Sequence, residues 1–414
     1  MNNKSRIKRE NMDEDLDSKP VILFNTHVYP RHKNDHVAPF MHDLAKVCLS
    51  FARVVVHCPH APGLPLQEMI EGVEIRRFTY AKERSQTLAY RGDMHKQVKK
   101  SIGKAFLFYS FLRKWKKATK KLVRELNPDI VHAHWLIPGG YVTKKAFGKE
   151  PPLFISMHGT DVFLINKMRI AQRLAKKAIH SAHNLHFVSE ELRSIIQRRY
   201  GDTDGRDLVL PMVFGLESFS RPTSESRETK RILFVGRLME VKGVDILIKA
   251  FSKFSEHDSL SDYVLDIVGD GPELDSLQQL SHQEQIQEKV VFHGSKQRSE
   301  IAGFYENADL FILPSKTTTL GEKEGLGLVV LEAMMSGVPV IGTDCGGIKE
   351  TIEHEKTGII VPENDVDALH MAMVDLIQDI GKREQFSHDA HAEVARKYSS
   401  ASLITAMKKW YGVD

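Results

Sequence analysis

Glu324 and Glu332 stand eight residues apart in the stretch Gly321-Glu-Lys-Glu-Gly-Leu-Gly-Leu-Val-Val-Leu-Glu-Ala-Met-Met-Ser-Gly337. Gly325 and Gly327 lie between them, followed by Leu328. Glycines at a helix start let backbone N–H groups approach a ligand, and a helix N-terminus favours anionic groups. A carboxylate beside such a turn is a natural acceptor for sugar hydroxyl hydrogens. A capped core helix with two solvated glutamates fits the same spacing without chemistry.

Three further stretches carry groups that could react or bind. Gly236-Arg237-Leu-Met-Glu-Val-Lys242-Gly243 holds two cations five residues apart, able to converge on one diphosphate. It lacks the Gly-Lys-Ser/Thr ending of a Walker loop and does not match the dinucleotide fingerprint. Val268-Gly269-Asp-Gly271-Pro272-Glu273 is either a simple strand-to-helix connector or a backbone contact for a nucleotide base. His158-Gly-Thr-Asp161 could be a catalytic His–Asp pair, a fragment of a metal site, or a capped strand end. With His132 and His134 it suggests zinc, but the spacing suits no common zinc site, so no metal is expected. No Gly-x-Ser-x-Gly elbow or Cys/His nucleophile signature occurs. The Asp-x-Asp matches, at Asp13, Asp15 and Asp17 and at Asp365 and Asp367, do not follow core strands, which argues against a metal-dependent single-domain sugar transferase.

All four stretches follow short apolar runs. The runs Val21–Phe24, Val54–His57, Val73–Phe78, Asp129–His134, Leu153–His158, Leu185–Ser189 and Leu208–Pro211 alternate with helical patterns, and so argue for a parallel α/β sheet. A polar stretch over Leu216–Lys230 without periodicity reads as a linker. A second series follows: Arg231–Gly236, Val264–Val268, Val290–His293, Leu310–Leu313, Val338–Ile341 and Gly358–Val361. Polar residues at the carboxyl ends of such strands sit where α/β sheets bind ligands. The chain ends in a helix over Ser399–Tyr411.

With 414 residues, two domains are expected. A net charge of +4 is too small to imply nucleic acid. Cys48, Cys58 and Cys345 have no metal or disulfide spacing, which fits a reducing, cytoplasmic compartment. Residues 1–19 are polar and mixed in charge, with no signal-peptide core, and read as a disordered tail. Between Lys96 and Arg124 lie eleven lysines and arginines with no acid among them. They flank the stripe Ile102, Phe106, Tyr109, Leu112, Trp115, Ala118 and Leu122, which is read either as a core-packed helix with a solvated basic face or as a face for anionic lipid. A second basic helix is expected over Lys167–His180.

Taken together, Gly236-Arg-Leu with Lys242-Gly243, Val268-Gly-Asp-Gly-Pro272, Asp309-Leu-Phe-Ile-Leu-Pro-Ser315, Glu324-Gly-Leu-Gly-Leu-Val-Val-Leu-Glu332 and Thr343-Asp-Cys-Gly-Gly-Ile-Lys-Glu350 resemble the retaining GT-B glycosyltransferases called group 1 or family four. The resemblance runs from about residue 20 to the end. Asp129–Trp135 and His158–Asp161 look like members acting in exopolysaccharide and cell-envelope glycan synthesis. The resemblance implies two Rossmann-like parallel-sheet domains facing a cleft, over 20–215 and 231–395, a linker over 216–230, and a helix over 396–414 returning to the first domain. It implies transfer of a sugar from a UDP- or GDP-type nucleoside diphosphate donor to a glycan or lipid-linked acceptor, with retention and no metal. Arg237 and Lys242 would stabilise the leaving diphosphate, where negative charge grows. Glu324 would hold donor-sugar hydroxyls, and Glu332 the ribose. Gly325, Leu326, Gly327 and Leu328 would contact sugar and phosphate. His158 would sit near the anomeric centre, oriented by Asp161 with His134 in support. Gly236, Gly269, Gly271 and Pro272 complete the expected donor site. One departure is the first loop, Tyr29-Pro-Arg-His-Lys-Asn-Asp35, which lacks the paired glycines of many relatives. A nucleotide-sugar epimerase or sugar phosphorylase of the same fold, or a non-catalytic sugar-nucleotide sensor, are the competing readings.

Overall fold

The computed structural model describes residues 19–33, 35, 37–90, 94, 97–98, 101–203, 205–219 and 230–413. The expected tail therefore lies almost wholly outside the described residues, and so does 220–229 of the expected linker. The chain divides into two compact units. One comprises the residues up to Phe187 with Ile195–Leu210 and Leu403–Asp414, the other Val188–Ser194 with Pro211–Ser402.

The first unit holds an eight-stranded sheet in the order β3-β4-β2-β1-β5-β6-β7-β8. The strands are β1 (Val21–Asn25), β2 (Arg53–Pro59), β3 (Gln67–Ile70), β4 (Val73–Phe78), β5 (Ile130–His134), β6 (Leu153–Met157), β7 (Asn184–Phe187) and β8 (Asp207–Val209). The apolar runs of β1, β2 and β6 suit strands buried on both faces by crossover helices, whereas β3 and β8 at the edges are exposed or half-buried. All pairs are parallel except β3–β4, a hairpin that the strictly parallel reading missed. Gly72 supplies the positive φ of its tight turn.

The second unit holds a six-stranded, wholly parallel sheet in the order β11-β10-β9-β12-β13-β14. Here β9 is Arg231–Val235, β10 Val264–Val268, β11 Val290–Gly294, β12 Leu310–Leu313, β13 Val340–Thr343 and β14 Ile359–Val361. Counted within the unit this is the doubly wound order 3-2-1-4-5-6, which opens a crevice beyond the carboxyl ends of β9 and β12. The parallel core of the first sheet has the same order, with its reversal between β1 and β5.

The helices used below are α1 (Pro39–Cys48), α2 (Ile102–Leu126), α3 (Thr160–Lys167), α4 (Arg169–Ile179), α5 (Arg298–Glu306), α6 (Leu328–Met335) and α7 (Ser400–Tyr411). The second basic helix, expected over Lys167–His180, is α4, which starts two residues later, after Lys167 and Met168 have closed α3. α7 is the crossing helix. Its part from Leu403 belongs to the first unit, where Trp410 donates to the Leu185 carbonyl and Asn184 to that of Trp410.

α2 corrects the expected stripe. Its buried residues are Phe111, Trp115, Thr119, Leu122 and Val123, whereas Ile102, Phe106 and Tyr109 are 80%, 73% and 66% exposed. At 3.6 residues per turn these three share a side with Arg113, Lys116, Lys117 and Lys120, opposite the packed face. The steps of three and four had merged two faces into one. No helix among the described residues is long and apolar enough to cross a membrane.

Candidate active site

In the second unit the reactive groups come from loops that leave β9 and β12. Lys242 ends a short turn (Glu240–Lys242) after β9 and reaches Glu324, with Nζ 2.6 Å from Oε2. The Ser315 hydroxyl, just beyond β12, donates to the same oxygen at 3.0 Å. Burial pushes the Glu324 carboxyl up. The Lys242 charge and the hydrogen bonds from Lys242 and Ser315 together outweigh it, so Glu324 titrates below the usual glutamate range. It is an ionised acceptor with lone pairs to spare beside a cation. Arg237 is exposed at the end of β9, and its guanidinium makes no hydrogen bond or ion pair with the described residues.

Backbone proximity explains the glycines. A Cβ on Gly346, which has φ +61°, would stand 2.0 Å from the Glu324 carbonyl, so the Cys345–Gly347 loop lies directly against the loop that carries Glu324. A Cβ on Gly269 would meet the Gly236 carbonyl at 1.8 Å, and one on Gly271 the Leu238 carbonyl at 2.2 Å. These glycines let the β10 loop pack on the β9 loop. Pro272 is exposed.

α6 begins at Gly327 in a left-handed conformation, so Glu324, Gly325 and Leu326 precede the helix and Leu328 opens it. Glu332 does not join the Lys242–Glu324 pair. Its carboxylate accepts from Tyr305 Oη at 3.3 Å and lies 3.9 Å from Arg298 Nη2, both residues on α5. Arg298 is fixed in turn by the Phe214 carbonyl at 2.7 Å and by the Phe219 ring.

In the first unit the counterpart positions are occupied by neutral rings. His158 follows β6, where Asp161 accepts from the backbone N–H of His158 at 3.2 Å, Gly159 at 3.1 Å and Leu136 at 2.6 Å. Burial pushes the Asp161 carboxyl up to about 6 against these donors. The His158 ring packs on Trp135 and Phe40, and its Nε2 lies 3.2 Å from His134 Nδ1. His132 Nε2 contacts Ser156 Oγ at 2.6 Å, and its Nδ1 the Tyr411 hydroxyl at 2.7 Å. Ser156 Oγ also contacts His186 Nδ1 at 2.9 Å, and His186 Nε2 reaches the Leu210 carbonyl at 2.6 Å. Burial, then neighbouring imidazoles, hold His132, His134 and His158 well below the usual histidine range. In the departing first loop, Arg31 pairs with Asp35 at 2.6 Å and the Tyr29 hydroxyl meets His42 Nδ1 at 2.6 Å; Asn34 lies outside the described residues.

Sequence reasoning passed over Ser315, Tyr305, Arg298 and His27. His27 follows β1 at the strand-order reversal and packs edge-on against Trp135, a position the strand-end rule marks. Among the described residues no group of three or more His, Cys, Asp or Glu side chains could hold a metal ion.

Comparison with known proteins gives matches to two family models. Residues 217–393 match "Glycosyl transferases group 1", and residues 37–211 match "Glycosyltransferase Family 4". The N-acetyl-alpha-D-glucosaminyl L-malate synthase of Bacillus anthracis is 27% identical over 295 residues, which is 69% of this chain and 74% of that protein. The GDP-mannose-dependent alpha-(1-6)-phosphatidylinositol monomannoside mannosyltransferase of Mycolicibacterium smegmatis is 32% identical over 233 residues, spanning 54% of this chain and 60% of that one. Sucrose-phosphate synthase from Thermosynechococcus elongatus shares the fold, with a TM-score of 0.75 at 18% identity over 95% of this chain and 98% of its own.

Proposed function

Since the chain belongs to the group 1 glycosyltransferases and has their GT-B fold, we propose that it moves a hexose from a UDP- or GDP-type sugar to a glycan or lipid-linked acceptor. The bond from the anomeric carbon to the diphosphate breaks, a bond to an acceptor hydroxyl oxygen forms with retention, and the hydroxyl proton passes to the departing diphosphate, in polysaccharide or envelope glycan synthesis. The observation that carries this reading is the Lys242–Glu324 pair at the end of a doubly wound sheet, beside an exposed Arg237. Lys242 and Arg237 would take up charge growing on the leaving diphosphate, with no metal required. Glu324 would hold sugar hydroxyls, the Gly325–Leu328 backbone would meet sugar and phosphate, and Glu332 would take the ribose. His158 would stand at the anomeric centre. The GDP-mannose in the name of the mycobacterial relative supports a nucleoside-diphosphate donor.

The test is release of nucleoside diphosphate from a donor chosen by a thermal-shift screen, since a ligand of the folded state raises the melting temperature. Release that depends on an acceptor supports transfer. Donor isomerisation without acceptor points to the epimerase, and binding without turnover to the sensor.

The acceptor is proposed to lie at an anionic membrane surface on the cytoplasmic side. α2 turns Ile102, Phe106 and Tyr109 outward on the same side as four cations, the pattern of a helix that lies in a lipid interface. Liposomes with anionic lipid should bind the protein and neutral ones should not, and charge reversal of Lys116, Lys117 and Lys120 should abolish sedimentation. Unchanged sedimentation would leave only a solvated basic face.

A further inference from the structure

His134 ends β5 with no exposed surface. Its ring packs against those of Phe24, at 5.0 Å, and His132, at 4.0 Å, which also touch each other. Its Nδ1 is 3.2 Å from His158 Nε2, and its own Nε2 is buried without a hydrogen-bond partner among the described residues. Desolvation keeps both rings neutral, so each carries one N–H.

A contact between two neutral ring nitrogens needs one donor and one acceptor. If His158 donated from Nε2, the single proton of His134 would have to sit on its Nε2, as a buried N–H with no acceptor. If His134 donates from Nδ1, its Nε2 is a bare lone pair. A buried N–H without an acceptor is the rarer and costlier condition.

The neighbouring ring offers no escape from this choice, because both nitrogens of His132 are already engaged. The same logic fixes that neighbour. The Leu210 carbonyl can only accept, so His186 donates from Nε2 and accepts at Nδ1. Ser156 therefore donates to His186 and accepts from His132 Nε2, and His132 Nδ1 accepts from Tyr411.

We infer that His134 is a positioning residue: it donates from Nδ1 to His158 Nε2 and so locks His158 as the tautomer protonated on Nδ1. His158 then offers an oxygen of the bound sugar a hydrogen-bond donor and not a base. This second half rests on the proposed placement of His158 at the donor sugar.

The test is NMR of the full chain labelled with 15N in the histidine rings, where ring-proton couplings report which nitrogen carries hydrogen. The His158 signals are identified by their loss in His158→Gln. The expected result is a protonated Nδ1 and a bare Nε2. In His134→Phe the freed Nε2 should become partly protonated. Turnover should fall about 10-fold, the size of one lost hydrogen bond near a reacting centre, with the donor KM changing far less. His134→Asn places an amide N–H where Nδ1–H stood. It should restore both the tautomer and turnover to within about 3-fold of the wild type, by the same hydrogen-bond scale.

A His158 protonated on Nε2 in the wild-type protein overturns the inference, and that measurement needs no variant to fold. So does an unchanged tautomer in His134→Phe, or a His134→Asn that is no better than Phe. If the Nδ1–H tautomer is found but His158→Ala turns over like the wild type, the placement of His158 at the sugar fails and the His134 contact stands.

Discussion

The two sheets share a strand order and end in opposite chemistry. Beyond β9 and β12 the second unit presents ions: a lysine against a carboxylate, with an exposed arginine beside them. At the ends of β5 and β6, and within β5 and β7 behind them, the first unit presents uncharged imidazoles held by one another, by hydroxyls and by a backbone carbonyl, with the ion pair Arg31–Asp35 set apart in the loop after β1. The doubly wound topology dictates where groups gather but not which groups. Fixed charge suits the side proposed to bear a leaving diphosphate. Neutral donors suit a side where an uncharged sugar would be held without inviting a stray proton transfer.

The sharpest way to break that contrast is to remove the ions. Lys242→Ala and Glu324→Ala should each lower turnover by about 10²- to 10³-fold, the scale of losing one preorganised charge partner. Lys242→Ala should also destabilise the fold, because it leaves a largely buried carboxylate without its cation. The double variant should be more stable than Lys242→Ala alone, since no charge is then stranded. Steady-state kinetics and denaturant midpoints read both effects. Turnover near wild type in either single variant would remove the pair from the site.

Acid should separate the units next. Burial lowers His27 and His186 to about 4 and His57 to about 3. His42, His132, His134 and His158 are also held down, and in the second unit burial lowers His370. The unfolded chain binds the missing protons as pH falls below about 6.5. Each such histidine therefore withdraws stability at about 1.4 kcal/mol per pH unit until its folded value is reached. Asp161 runs the other way: raised to about 6, it binds its proton in the folded state first and regains some stability as pH falls. Glu324, held low, loses its contribution only below the ordinary glutamate range. Between pH 6.5 and 5 the first unit, with seven lowered histidines against His370 in the second, should weaken more than the second. Amide exchange resolved by segment checks this, and uniform weakening of both units would contradict it.

The ionic side was the more legible of the two in the sequence, for a physical reason. Glycine needs at Gly269 and Gly346, the strand runs and the cations of Gly236–Gly243 are local demands of turns, and local demands leave local patterns. What stayed hidden depends on distant partners. Arg298 and Tyr305 become neighbours of Glu332 only through α5 packing beside α6. The apolar steps of α2 could not reveal which face packs, since Trp115 turns inward to donate to Asn25 Oδ1 at 2.7 Å while Phe106 turns out. The four-residue strand β3 had too few residues to show an alternation.

The smallest effect concerns the longest-range of these contacts. Tyr411 on α7 meets His132 on β5 across 279 residues of sequence. Burial raises the Tyr411 hydroxyl well above the usual tyrosine range, so it stays protonated and can donate. Because the Leu210 carbonyl fixes the direction of the chain from its far end, Tyr411→Phe should remove one donor and leave the His132–Ser156–His186 links in place. The expected loss is about 1 kcal/mol, that of a single neutral hydrogen bond. It should appear in the denaturant midpoint and as faster amide exchange over 403–413. Ser156→Ala, which cuts the chain at two bonds, should cost about twice as much on the same scale. Equal losses from the two variants would mean that the links are not directional, and that the neutral side of the molecule is held by packing alone.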